Sequence, residues 1–181
     1  MSVTAERDTR DLRAAPARGA YLRFGGEWYP VGWDVAAPFG VLSVLATVHA
    51  SVGDPPAVTL ALRAGWEHVD GPVPFHELAY VGGETTVRGY AEQRFAGTTG
   101  AYANAEVRLR VARPPMGDAG VFALADAGRV WVAGESADRW HGAAGGGLWL
   151  AWRRRRDQTI SLAAVKSPER TAVYARAGFM F

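Results

Sequence analysis

Residues 103–112, ANAEVRLRVA, alternate from end to end. Ala103, Ala105, Val107, Leu109 and Val111 are apolar, while Asn104, Glu106, Arg108 and Arg110 are polar. Period two puts the two sets on opposite faces of an extended strand, and about ten residues also cross a bilayer as a tilted strand. The alternation recurs along the chain. Leu42, Val44, Ala46 and Val48 oppose Ser43, Thr47 and His49; Val58, Leu60, Leu62, Ala64 and Trp66 oppose Thr59, Arg63 and Glu67. Later, Leu148, Leu150 and Trp152 form one set, and Ile160 and Leu162 oppose Thr159 and Ser161. At the end, Val173, Ala175, Ala177, Phe179 and Phe181 oppose Tyr174 and Arg176.

The pattern predicts eight strands, over 19–31, 38–52, 56–69, 98–112, 119–133, 142–154, 157–165 and 170–181, with a further short one near 3–10. Gly53-Asp54-Pro55-Pro56, Pro114-Pro115-Met116-Gly117, Gly134-Glu135-Ser136 and Ser167-Pro168 are turn signals between them. Most connections are short enough for antiparallel hairpins. Residues 70–97 carry no strand pattern, and a loop that long is functional or disordered. Residues 1–18 read as an N-terminal segment or partial first strand, and 19–181 as one β domain.

Such alternation fits either a soluble β-sandwich or a membrane β-barrel. Three features favour the barrel. Charges sit in mid-strand on the polar face (Arg63, Glu106, Arg108, Asp126) opposite small or apolar residues, as where one face meets lipid and the other a wet lumen. Trp28, Tyr29, Trp33, Trp66, Trp131, Trp140, Trp149 and Trp152 fall towards proposed strand ends, as interfacial girdles do. The last strand ends on Phe181. The expected fold is therefore an all-β antiparallel transmembrane barrel of about eight strands, with one long loop.

Composition narrows the function classes. Apolar residues make up 49% of the chain without a run long enough for a spanning helix. Net charge is +2, so no nucleic-acid partner is expected, and the dense basic run Arg153–Arg156 reads as a solvated strand end. The absence of cysteine excludes disulfides and thiolate metal sites. His49, His68, His76 and His141 have no metal-ligand spacing, and no Gly-x-Ser-x-Gly elbow is present. The reading is accordingly no enzyme, no catalytic residues, no metal and no cofactor. The first residues are charged and lack the apolar core of a signal peptide, which predicts a start further upstream or a chain that is part of a longer one.

The segment 62–90, LRAGWEHVDGPVPFHELAYVGGETTVRGY, resembles the surface-antigen family of outer-membrane barrels, the BamA/TamA superfamily. The matching residues are Pro74, Phe75, Glu77, Tyr80, Gly82, Gly83, Val87, Arg88, Gly89 and Tyr90. Residues 120–131 resemble a later family strand on which Asp126 and Gly128 fall, and residues 8–24 resemble a strand start of the family. The terminal strand, with Tyr174, Phe179 and Phe181, resembles the outer-membrane sorting signal, although the usual glycine position holds Arg176. The resemblance implies that the loop folds into the barrel and that Arg88 meets acidic groups on its wall, Asp126 and Glu106. Strand parity independently places Glu106 on the polar face. An arginine suits such a site because its planar fork bridges carboxylates. The resemblance further implies location in the bacterial outer membrane in contact with its lipid, and a role in inserting or translocating unfolded client polypeptides. It would act without nucleotide or covalent chemistry, by sideways opening of a seam that templates incoming strands. The resemblance also implies half of a barrel of about sixteen strands, its C-terminal half. The alternatives are a small closed eight-stranded structural or narrow-pore barrel, a fragment of a longer member, and pairing with a second barrel-forming chain.

Overall fold

The computed structural model describes residues 1–32, 35, 37–132, 139–152 and 155–181, with the backbone alone for 155–157. Trp33, the Gly134-Glu135-Ser136 turn, and Arg153 and Arg154 of the basic run lie outside the described residues, as do the side chains of Arg155 and Arg156. Nine strands form one antiparallel sheet in the order β1 (Ser2–Asp8), β2 (Gly19–Tyr29), β3 (Phe39–Val52), β4 (Val58–Asp70), β7 (Thr99–Ala112), β8 (Gly117–Trp131), β9 (His141–Trp152), β10 (Arg155–Lys166) and β11 (Thr171–Ala177). Between β4 and β7 the chain makes a 3-10 turn, Phe75–Glu77, and a two-stranded ribbon of β5 (Ala79–Val81) with β6 (Phe95–Gly97). The region expected to hold no strand therefore holds two short ones. Three residues each are too few to give a period, so the sequence leaves no signal.

Among the described residues the sheet has nine strands: the eight expected, with the further short one expected near 3–10 present as Ser2–Asp8 and paired along its length with β2. It does not close: among the described residues β1 and β11 each have one hydrogen-bonded neighbour. Among the described residues the strands therefore do not form the small closed eight-stranded barrel. The sheet nevertheless curls, since its two edges approach each other. The Phe179 amide donates to Ala14 O at 3.1 Å, joining the connection between β1 and β2 to the chain beyond β11.

The two faces are inverted relative to a water-soluble protein. On β7, Asn104, Glu106 and Arg108 are buried while Val107, Leu109 and Val111 are exposed. Leu42, Val48, Leu60, Leu62, Leu148, Ile160, Leu162 and Val173 continue the exposed apolar band across the outer face. A contiguous apolar surface of this extent needs a cover. Trp28, Trp66, Trp131, Trp140 and Trp152 are exposed at its margins. Trp149 departs from the expected girdle. Its parity is that of the buried Ala143 and Ala151, and it packs inward on Phe179 at 6.0 Å between ring centres. There its ring fills the space over Gly120, where a Cβ would lie 2.5 Å from it.

The two ends of the sheet also differ. At one end the chain passes between β2 and β3, β4 and β7, β8 and β9, and β10 and β11; at the other it passes between β1 and β2, β3 and β4, β7 and β8, and β9 and β10, with the longer 71–98 at the first end.

Candidate functional site: a loop latched to the inner wall

Alternation in β7 presents Asn104, Glu106 and Arg108 to the interior at successive inward positions. In β8 it presents Leu124, Asp126 and Gly128. The register sets Asn104 opposite Asp126 and Glu106 opposite Leu124, so the two carboxylates are diagonal neighbours on one wall. The chain between β4 and β7 folds down onto this wall. Gly82 and Gly83 turn it with φ of +120° and +93°, and the tight turn is held by Gly83 N–H donating to Val87 O at 3.1 Å. Val87 then enters a buried cluster with Val81, Tyr90, Phe122, Leu124 and Val165. The approach is close because position 128 lacks a side chain: a Cβ there would lie 2.7 Å from Val87 Cγ2 and 2.8 Å from Val81 Cγ1.

Arg88 follows Val87 and its guanidinium reaches both acids. Nε and Nη2 donate to the two oxygens of Asp126 at 2.7 and 2.8 Å, and Nη1 donates to Glu106 Oε1 at 2.6 Å. The Arg88 backbone N–H adds a bond to Asp126 Oδ2 at 3.0 Å, and Asn104 Nδ2 donates to Asp126 Oδ1 at 2.9 Å. The second Glu106 oxygen accepts from Arg108 Nε and Nη2 at 3.0 and 2.8 Å. Two carboxylates and two guanidiniums thus alternate in one chain, Asp126–Arg88–Glu106–Arg108, with side-chain exposure between 0% and 5%. Each carboxylate oxygen has a charged donor, which is what lets ions persist away from water.

Further bonds fasten the loop on either side. Gly89 takes φ +84°; its N–H donates to the Tyr174 hydroxyl at 2.8 Å, and Ser167 Oγ donates to its carbonyl at 2.7 Å. Tyr90 donates to Gly142 O at 3.2 Å, and Arg170 Nη2 donates to Tyr90 O at 2.5 Å. Arg63 bonds Thr85 O, Asn104 bonds Thr86 O, and Glu84 pairs with Arg176. The loop is therefore held by β4, β7, β8, β9, β11 and the turn before β11.

The residues singled out from the sequence do not all gather here. Gly82, Gly83, Val87, Arg88, Gly89, Tyr90, Glu106, Asp126 and Gly128 converge, and Tyr174 joins them. Phe179 and Phe181 reach the site only through Arg108: strand β11 stops at Ala177, Gly178 takes φ +89°, and the chain turns inward. Phe181 is buried and Phe179 lies under Arg108, 3.8 Å from Cζ to ring centre. These two rings thus break the lipid-facing alternation expected of a strand over 170–181. The sequence places Arg63, Asn104 and Arg108 on the inward face and puts Arg108 or Arg63 within reach of Glu106, and Arg108 is the one that pairs with it; Ser167 and Arg170 carried no signal. Among the described residues no group of three His, Asp or Glu side chains is placed to hold a metal ion.

Residues 1–154 match the Omp85 superfamily domain. A crystal structure of BamA from Haemophilus ducreyi, lacking POTRA domains 1–3, superposes with a TM-score of 0.74 at 16% identity. The match covers 97% of this chain and 42% of that one, so the chain spans less than half the length of that structure. At this identity the likeness is one of fold: an antiparallel barrel sheet. No curated protein matches the sequence.

Proposed function

This chain belongs to the Omp85 superfamily, and from that premise we propose that it is an outer-membrane barrel protein that assists insertion or translocation of other polypeptides. The observation that carries the reading is a polar-in, apolar-out sheet whose last strand, β11, has a bare edge among the described residues. The apolar band and its tryptophans suit lipid contact. Longer connections lie outside and shorter turns face the periplasm in barrels of this type, which puts 71–98 at the outer side and Phe181 at the periplasmic side. A strand with unpaired N–H and C=O groups is a template for a further strand. At seven residues β11 is short enough to exchange partners.

On this reading the seam beside β11 opens sideways and aligns an incoming client strand by backbone hydrogen bonds, with no covalent or nucleotide-driven step and no nucleic-acid partner. The latched loop braces the wall formed by β7 and β8 from within, so that the edge yields while the sheet does not. Gly178 supports this division, because it ends β11 and takes the remaining residues off the edge.

The test uses the full chain in phospholipid vesicles with an unfolded outer-membrane barrel as client. The chain has no cysteine, so Ala175→Cys supplies a single thiol on β11. The expected result is faster client folding and a disulfide between that thiol and a cysteine in the client's terminal strand. Client folding at the rate of empty vesicles, together with a steady small conductance, would instead support a narrow pore and overturn this reading.

A further inference from the structure

We propose that Arg108 is a positioning residue that couples the latched loop to the two edges of the sheet, so that releasing the loop loosens the edges. Arg108 lies on β7, midway along the strand order, yet its guanidinium touches both extremes of the sheet. Nη1 donates to Pro16 O at 3.1 Å, in the connection between β1 and β2. Nη2 donates to Phe181 O at 2.7 Å, beyond β11. Its face covers the Phe179 ring, which is wedged against Phe122 and Trp149.

What aims this guanidinium is Glu106. The carboxylate is shared: Oε1 belongs to Arg88 and Oε2 to Arg108. While Arg88 occupies Oε1, Arg108 can use only Oε2, and its remaining N–H groups point at Pro16 and Phe181. When Arg88 leaves, both oxygens become available. A guanidinium facing a free carboxylate settles on both in a fork. That rotation draws Nη1 and Nη2 off the two backbone carbonyls, and the residues after Gly178 lose their charged tether. Loop and edges then have one shared element with two arrangements, which is the requirement for coupling. The coupling belongs to the chain alone, so its failure would leave the client-assembly reading standing.

The experiment places the only thiol at Met180→Cys, in the full chain folded into vesicles, and follows labelling by a water-soluble maleimide. Asp126→Asn weakens the hold on Arg88 from a position that makes no bond to residues 178–181. Arg108→Lys keeps the charge and removes the fork. Each is expected to speed labelling about fivefold or more, and the double variant to label no faster than Arg108→Lys alone. Parental labelling in Asp126→Asn would overturn the coupling, and so would faster labelling at position 180 while a separate Thr85→Cys thiol on the loop keeps its parental rate. So would effects that multiply in the double variant. Folding of each variant is checked by its heat-dependent gel shift, and Glu106→Gln replaces Arg108→Lys, with the same expectations, where the latter does not fold.

Discussion

Arg88→Ala is the perturbation that the latch makes quantitative. The substitution removes three charge-assisted hydrogen bonds, two to Asp126 and one to Glu106. Such bonds contribute about 1.5–3 kcal/mol each in net terms, but the acids are not left bare. Asp126 keeps Asn104 Nδ2 and the backbone N–H of residue 88, and Glu106 keeps both bonds from Arg108. The expected loss is therefore about 3 kcal/mol, the lower end of the range for breaking one side of a buried ion pair. Arg88→Lys keeps the charge but cannot fork between two carboxylates, and about half that loss is expected. The assay is urea unfolding in lipid vesicles, followed by tryptophan fluorescence and extrapolated linearly to water. A loss under about 1 kcal/mol for Arg88→Ala, the value of an exposed pair, would refute the idea that this cluster braces the sheet.

Three further outcomes are expected. Gly128→Ala drives a methyl into Val87 and Val81, costing about 1–3 kcal/mol and speeding tryptic cleavage at the exposed Arg94 of the displaced loop. Leu62→Arg on the outer face costs about 2–4 kcal/mol in vesicles if lipid lies there; an effect within about 0.5 kcal/mol, as at a watery surface, would contradict the membrane orientation. Tyr174→Phe leaves the buried Gly89 N–H without its acceptor and costs about 1–3 kcal/mol, read by the same unfolding assay.

Most of the main sheet was legible because a strand with unlike faces writes its period into the sequence. Residues 103–112 show this: parity alone says which of Asn104, Val107 and Arg108 turn inward. The closeness of Arg88 to Asp126 is not a matter of period. It depends on glycines at 82, 83 and 128, which permit the turn and the approach, and it came into view only through resemblance. Period misled at the end of the chain. Ala175, Ala177, Phe179 and Phe181 alternate as one strand, yet at Gly178 the backbone adopts a conformation that ends it, and cation–π contact with Arg108 accommodates the rings inside. Trp149 misled in the same way, since an aromatic near a strand end fills an inner gap over glycine as readily as it marks an interface. Ribbon β5–β6 was invisible because its partners are set by the loop's path.

The nine described strands, taken as a unit, have a consequence for whatever meets them. With nine members alternating in direction, the outermost two descend together, from the side of the long connections to the side of the short ones. Joined to each other they would run parallel, a junction somewhat weaker per residue than its neighbours. A second copy in the same membrane orientation brings two more descending margins, and both of its junctions would be parallel as well. A guest held antiparallel at both margins must contribute an odd number of strands, beginning and ending with one that climbs. A guest arriving as whole hairpins always leaves one mismatched junction, and that is where it would be expected to part.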